Sequence, residues 1–361
     1  MNFKYIIISA LIIISSGSCQ KENIYEQVPD AIRFTAGVSD LKEVETRSTL
    51  VTGSTLPDDS NFGVLGYCVP YIVGTTTLNY PGASADWNSK MTNSHPDIFY
   101  KKIVTYKGGE CTYDTPEGWV TPPSENTSDP AKYTYTFFAY YPATAWTVDT
   151  GSSALGAPKF SYEIPITSTN TSTSINDSNI TDVMVASTYN HLRSNGHVPL
   201  NFSHLTTGLN VKVVNYDTRS IQIRSITLKG TYHKKVTIDF ATGALSYSGT
   251  YKGTFTLNNS TTTVQAGASV NVDNGETALL LSNAGLGSDV VMTVTYRAGS
   301  SNTNKTWTSG TSLYSANFKP NPGTNYTLTL NFVNGAITLS TEAEEQWENG
   351  DDEKGNNSTI K

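Results

Sequence analysis

The fold is decided by the stretch AIRFTAGVSDLKEVETRS, residues 31–48, because its first half has the pattern of a half-buried strand. Apolar side chains at Ile32, Phe34, Ala36 and Val38 alternate with polar or small ones, a period of two that is typical of a strand with one buried face. That face requires a partner elsewhere in the chain.

The second half of this stretch is a charged tether. Residues 40–47 are rich in charge and poor in β-forming residues, so we expect a solvated, protease-accessible connection. Arg47 precedes Ser48 in this open context and is a candidate cleavage point. An ordinary first strand followed by a surface loop would fit the same residues.

The N-terminus has the layout of a secretory signal peptide. Lys4 precedes an apolar run, residues 5–14, and small residues then lead to Cys19. The apolar run is too short to span a bilayer. The small residues before Cys19 resemble the lipobox of bacterial lipoproteins, although Ser16 stands where a leucine is usual. We therefore expect a signal peptide over 1–18, export by the lipoprotein machinery, palmitate or a similar acyl chain on Cys19, and a leader over 19–47. An ordinary signal peptide with an incidental cysteine is the alternative.

Composition indicates an extracellular β-protein. Charged residues make up 15% of the chain, tyrosine occurs 21 times, and the formal net charge is −7. A basic patch is what nucleic acids and anionic lipids require, so neither is an expected partner. The length of 361 residues is enough for two domains after removal of a leader.

The remaining chain predicts short strands broken by Gly, Pro and Asn, with no long helical period. The fold class is therefore all-β. Strand clusters on both sides of Ser187 to Gly196 predict two β-sandwich domains, 48–195 and 196–361. Cys68 and Cys111 could form one disulfide or stay as two buried thiols, and the sequence favours neither.

The C-terminal segment 336–361 admits two interpretations. Asn334-Gly335 predicts a tight turn, after which Ile337 and Leu339 restart a strand pattern. Three glutamates interrupt this pattern before Trp347. The segment is either a closing hairpin with an acidic tail or a donor strand for a neighbouring molecule. In the second case we expect both domain cores to be complete without it.

Catalytic chemistry finds no support in the sequence. The five histidines lack metal-ligand spacing, no nucleophile elbow or phosphate-binding loop occurs, and we expect neither cofactor nor metal. His204 is expected to be packed and hydrogen-bonded, whereas His191 and His197 are expected in a solvated loop. The tryptophans are expected in the core rather than on a sugar-binding platform. These are Trp87, Trp119, Trp146 and Trp307.

Five segments, in this order, resemble the successive landmarks of the fimbrillin family, the type V pilins of bacterial surface fimbriae. They are residues 62–67, 137–142, 182–186, 198–205 and 318–328. The resemblance implies two transthyretin-like sandwiches, an outer-membrane lipoprotein precursor, and removal of the leader strand by an arginine-specific surface protease. It places the cut between Arg47 and Ser48 and implies assembly with other copies or related fimbrillins by donor-strand exchange through the C-terminal segment. The mature protein would then lie in a cell-surface fimbrium and contribute to adhesion.

A second function class remains open on the sequence. A non-polymerising outer-membrane lipoprotein that binds glycans or host ligands could use a similar sandwich.

Overall fold

The structure is a computed structural model that describes most of the chain from residue 30 onward. The described residues are 30–38, 51, 54–70, 87, 89–91, 95–120, 133–149, 159–165, 173–175, 180–240, 243–272, 278–281, 289–310, 313, 318, 320–346 and 358–360. They form strands almost throughout, which confirms the all-β prediction. Among these residues, no helix is long and apolar enough to cross a membrane.

The strands of the first half are β1 (Phe34–Val38), β2 (Ser60–Pro70), β3 (Lys102–Lys107), β4 (Glu110–Thr112), β5 (Tyr133–Tyr141), β6 (Trp146–Asp149), β7 (Lys159–Glu163), β8 (Thr173–Ile175), β9 (Met184–Leu192) and β10 (Val198–His204). Those of the second half are β11 (Thr207–Asn215), β12 (Ile221–Asp239), β13 (Ala244–Asn258), β14 (Thr262–Val264), β15 (Ser269–Asn271), β16 (Ala278–Leu280), β17 (Val291–Ala298), β18 (Lys305–Thr308), β19 (Thr324–Val333), β20 (Ala336–Gln346) and β21 (Ser358–Ile360). A 3-10 turn, Arg193–Asn195, joins β9 to the segment before β10.

The first sheet has seven strands in the order β1-β10-β9-β5-β2-β3-β4. Its centre is β5, whose sequence YTYTFFAYY is buried on both faces at most positions. Aromatic and β-branched residues favour such a strand because they fill the space above and below the sheet. Both edges of this sheet, β1 and β4, are short.

Two further sheets complete the structure. One has six strands and runs β15-β11-β19-β20-β21, with β16 also on β11. The other has eight strands built around β12, which is 19 residues long. Isoleucine, leucine and valine recur along β12 at alternating buried positions, so one face lies on the core along most of its length.

Four pairs of the described strands cross the predicted boundary between residues 195 and 196, and two of them are β1 with β10 and β8 with β13. β10, which follows the boundary, pairs with β9 of the first sheet. The distal half of β12 pairs with β7, which precedes it. The residues predicted to link the domains are themselves strand β9 and the following turn. A division into two tandem domains stays a prediction.

Buried apolar residues form two clusters. The larger one lies between the three sheets and runs from Leu65 to Leu339. The smaller one lies on the other face of the first sheet and includes Ile32, Phe34 and Val38. Three of the four predicted core tryptophans are buried and Trp307 packs against the larger cluster, so the core prediction is confirmed.

Two predicted turns are present. Gly243, at the β12–β13 turn, has φ of 68°. Asn334 and Gly335, between β19 and β20, have φ of 50° and 77°. Consecutive positive φ angles match the tight hairpin turn that the Asn-Gly pair predicts.

Candidate functional site

The candidate site is the place where β1 lies at the edge of the first sheet. β1 runs parallel to β10, with Phe34 opposite Val198 and Val38 opposite Phe202. On its other side it approaches β4, and Ala36 of β1 and Cys111 of β4 both pack against the smaller cluster. β1 therefore covers the space between β10 and β4. We call the surface under residues 31–38 the leader groove.

Phe34 occupies the centre of the leader groove, in a cage of three rings. Its ring centroid lies 5.4 Å from Phe99, 5.7 Å from Phe137 and 6.1 Å from Tyr113. Tilted and edge-on ring pairs at such distances are favourable beyond the area they bury. Phe34 is 4% exposed, so nearly the whole ring is removed from water.

Polar groups outside the β1–β10 ladder fix both ends of the strand. At the start, the Ile32 amide donates to the Glu117 carbonyl over 2.8 Å, and the Tyr113 hydroxyl donates to the Ile32 carbonyl over 2.6 Å. At the other end, the Val38 amide donates to the Ser54 carbonyl over 2.9 Å. These hydrogen bonds hold both ends of the segment from Ile32 to Val38 in the leader groove.

An ion pair marks the entrance of the leader groove. Arg193 contacts Asp30 with 2.7 Å between guanidinium nitrogen and carboxylate oxygen. Both side chains are more than 40% exposed, so the pair is solvated and contributes little to stability.

A buried polar cluster fixes the chain that follows the tether. Asp182 accepts hydrogen bonds from the Val51 amide (2.9 Å), from Thr206 Oγ1 (2.6 Å) and from His204 Nδ1 (2.9 Å). The side chains of Asp182 and His204 are fully buried. The prediction of a packed, hydrogen-bonded His204 is confirmed. Val51, four residues after Arg47, is thus held by the body of the protein.

The two cysteines of the body are both free thiols. Cys68 is buried in β2, where burial, with the nearby Asp97 carboxylate, raises its pKa to about 12. Cys111 in β4 is half-buried, and burial raises its pKa to about 11.

One histidine prediction is wrong. His191 was expected in a solvated loop, but it lies in β9, is 5% exposed and stacks on Trp119 with a centroid distance of 5.8 Å. Its Nε2 lies 3.1 Å from the Gly196 carbonyl oxygen. Burial lowers the His191 pKa, although this hydrogen bond acts in the opposite direction. His197 is exposed as expected.

The described part of the C-terminal segment, residues 336–346 and 358–360, pairs with strands of the same molecule. β20 pairs with β19 from Val333–Ala336 to Thr324–Gln346, and Leu339 is fully buried in the larger cluster together with Ile337. The expectation that this core is complete without the segment is therefore wrong. Whether the segment also acts as a donor stays a prediction.

Several predicted site residues lie outside the described residues. They are Cys19, Arg47, Ser48 and Trp347. Of the predicted removable strand, Ile32, Phe34, Ala36 and Val38 are all described, and their side chains pack into the leader groove. Sequence reasoning missed Tyr113, Glu117 and Ser54, since nothing in their own sequence surroundings marks a residue that contacts a strand so distant in the chain.

No grouping of acidic, histidine and cysteine side chains suited to a metal ion occurs within the described ranges. The exposed large apolar residues are scattered over several elements and are Tyr100, Ile103, Tyr189, Tyr216 and Val333. A leader groove built from backbone hydrogen bonds and apolar side chains can hold an extended peptide strand.

Comparison with known proteins gives one family match and several similar structures. The family model described as fimbrillin-like matches residues 104–347. The fimbrium subunit Fim1C of Phocaeicola vulgatus is 31% identical over 205 residues, which is 54% of this chain and 47% of that protein. The chain thus spans about half the length of this curated relative.

Two solved structures cover most of the chain. A candidate cell adhesion protein from Bacteroides uniformis aligns with 89% of this chain and 99% of its own at 14% identity, with a TM-score of 0.48. The fimbrial anchor protein Mfa2 from Porphyromonas gingivalis aligns with 91% of this chain and 99% of its own at 11% identity, with a TM-score of 0.33. Both TM-scores are below 0.5, so the family assignment rests on the family model.

Proposed function

Because the chain belongs to the fimbrillin-like family, we propose that it is a structural subunit of a bacterial surface fimbrium, exported as a lipoprotein, matured by cleavage after Arg47 and polymerised by strand exchange. The role is assembly, with other copies or related fimbrillins as partners, and it contributes to adhesion. The proposal involves no chemical reaction by this chain.

The observation that carries this proposal is the position of β1. This strand is the first described element and lies at a sheet edge. Together with the residues just before it, it buries Ile32, Phe34 and Val38 in the smaller cluster. Burial of three such side chains is worth about 5 to 9 kcal/mol. Loss of the strand would expose apolar surface beside an unpaired strand edge, which favours capture of another strand.

The described residues on either side of the tether support a cut between them. The Val38 amide donates a hydrogen bond to the Ser54 carbonyl, and the Val51 amide donates one to the buried Asp182 carboxylate. A cut after Arg47 would separate β1 from the body while Val51 keeps its anchor. The leader strand would then be held only by non-covalent contacts.

Replacement of arginine tests the maturation step. Arg47→Ala should leave the leader attached and the protein monomeric, as N-terminal sequencing and electrophoresis of unboiled surface extracts would reveal. Arg33→Ala is the matched control. The Arg33 side chain is exposed, but the Arg33 carbonyl accepts a hydrogen bond from the Val198 amide, so the backbone there is held against β10 and is not expected to be cut. The control should still yield a ladder of heat-labile multimers. A mature protein beginning at Ser48 in the Arg47→Ala variant would overturn the cleavage site.

Lipid anchoring is tested at Cys19. Cys19→Ala should yield a precursor that no longer partitions into the detergent phase. Unchanged partitioning would overturn the lipoprotein assignment and leave the fimbrial role intact.

A further inference from the structure

A short segment after β4 lies across the start of the leader. It runs from Tyr113 to Trp119, which are only 5% and 8% exposed, whereas three of the five residues between them are exposed. We call residues 113–119 the strap. The strap thus has two buried ends and a solvated middle.

The strap holds both backbone groups of Ile32. The Ile32 amide donates to the Glu117 carbonyl over 2.8 Å, and the Ile32 carbonyl accepts from the Tyr113 hydroxyl over 2.6 Å. The Glu117 amide donates in turn to the Tyr113 hydroxyl over 3.4 Å, which links the two strap residues. One residue before Ile32, Ala31 forms an isolated antiparallel bridge with Gly118. Ile32 is fully buried, so it leaves the leader groove only when these contacts break.

The strap is fixed to the body of the protein by the rings at its two ends. The Trp119 ring lies 4.8 Å from the ring of Tyr135 and stacks on His191 at 5.8 Å, measured between centroids. The Tyr113 ring lies 5.4 Å from that of Phe99. Tyr135 and His191 belong to β5 and β9 of the first sheet. The Trp119 anchor therefore does not require the leader to be in place.

The ionic contacts of the strap add little to its closure. Lys102 Nζ lies 3.5 Å from a carboxylate oxygen of Asp114 and 3.8 Å from one of Glu117. The Asp114 side chain is 87% exposed, and water and salt screen a pair of this kind. The ring contacts and the hydrogen bonds are therefore what holds the strap closed.

We propose that the strap is the last contact to release the leader, so that its opening sets the rate at which β1 leaves after cleavage. This inference rests on the proposed function and adds to it the control of leader release. A cut after Arg47 creates the new chain end on the Val38 side of β1. Release therefore starts at Val38 and finishes at Ile32, which lies under the strap.

The ladder between β1 and β10 opens more readily from that end than the strap does. It pairs residues 34–38 with residues 198–202 at the edge of the sheet. The ends of such a strand fray locally, one pair after another, at a low cost in free energy. The two bonds of Ile32 instead break together with the movement of a segment that is anchored by two buried rings.

Leader release can be timed after a cut that does not depend on the natural protease. In the Cys19→Ala chain, residues 42–47 are replaced by the recognition sequence of a site-specific protease. Size-exclusion chromatography at increasing times after the cut then measures how much leader fragment has separated from the body. Tyr113→Phe removes the hydroxyl bond and keeps the ring, and Trp119→Leu removes the ring anchor and leaves the bonds of Ile32 in place.

Both variants should release the leader about 10-fold faster than the chain without them. Tyr113→Phe deprives the buried Ile32 carbonyl of its hydroxyl donor, and a buried polar group without that bond destabilises the closed state by this order. Trp119→Leu removes the ring pairs with Tyr135 and His191, whose loss has an effect of similar size. Trp119 is a positioning residue, because it acts on the leader through the strap.

Two matched substitutions separate strap opening from a general loss of stability. Tyr232→Phe removes a buried hydroxyl that donates to the Leu228 carbonyl over 2.9 Å. Trp146→Leu removes a tryptophan that is 8% exposed, the same fraction as Trp119. Both residues lie in the larger cluster, away from the leader groove. These substitutions should lower the free energy of unfolding and leave the rate of leader release unchanged.

Three results would overturn the role of the strap. One is an equal rate of release in all the chains, including no release from any of them. Another is acceleration by only one of the two strap substitutions, and the third is an equal acceleration by the two matched substitutions. If release follows the expected order but the freed bodies stay monomeric, the proposed function is contradicted while the role of the strap stands.

Discussion

Replacement of Phe34 by alanine should loosen the leader strand while the rest of the chain stays folded. Phe34 is 4% exposed and contacts three aromatic rings. Truncation of a buried phenylalanine costs about 3–5 kcal/mol, because both the burial and the packing of its neighbours are lost. If β1 opens as a local unit, the free energy of that opening falls by this amount.

Amide hydrogen exchange measures the opening. The Ile32 and Val38 amides are the reporters, because they donate to Glu117 and Ser54 and are released only when the strand leaves. A loss of about 3–5 kcal/mol corresponds to a fall in protection of about 10²- to 10⁴-fold. Amides of β19 in the second sheet should keep their protection.

Thr35→Ala is the matched control, since Thr35 lies on the same strand with its side chain exposed. It should change protection little, as surface substitutions do. Unchanged protection of Ile32 and Val38 in Phe34→Ala would show that the ring cage does not hold the strand. An equal fall at all amides, β19 included, would show that β1 is not a separate unit.

Three further predictions concern buried or half-buried groups in or beside the first sheet. Asp182→Ala removes the carboxylate that accepts hydrogen bonds from Val51, Thr206 and His204, so the free energy of unfolding, measured by urea denaturation, should fall by about 3–5 kcal/mol. Thr206→Ala removes only one of these bonds and should lower it by about half as much or less. Equal effects of the two substitutions would contradict a shared carboxylate. Burial lowers the pKa of His191 in the folded protein, so the unfolded state takes up the His191 proton first as the pH falls through about 6.5. The unaltered protein should therefore lose stability between about pH 7.5 and pH 5 more steeply than His191→Gln does. Parallel profiles of stability against pH would refute this. In the Cys19→Ala chain, Cys68 and Cys111 should titrate as two thiols after denaturation without reductant and react slowly when folded, because burial raises both pKa values; detection of no thiol would indicate a disulfide.

The strands were predictable from sequence where one face is buried. Ile32, Phe34 and Val38 have a period of two because β1 lies at a sheet edge with a core on one side only. The Asn334-Gly335 turn was predictable for a local reason, since consecutive positive φ angles suit these residues. Both signals are confined to a few neighbouring residues.

The partners of these strands were not predictable, because pairing over long distances leaves no local signal. β1 pairs with β10, more than 150 residues later, and the cage residues Phe99, Tyr113 and Phe137 come from three separate segments. His191 was misplaced because its surroundings are polar in sequence, whereas the ring of Trp119 covers it in space. The same limit applies to β12, whose alternation predicts a strand but not that its two halves pair with different neighbours.

The intact tether gives a reason for a cleavage step in the proposed assembly. While the tether is intact, β1 is an intramolecular occupant of the leader groove, at an effective concentration on the order of millimolar or higher. An intermolecular strand therefore cannot displace β1 from the uncleaved chain. In the proposed assembly, a cut after Arg47 removes this advantage. Once β1 dissociates, it is diluted away, whereas the strands of neighbouring subunits would remain at high local concentration.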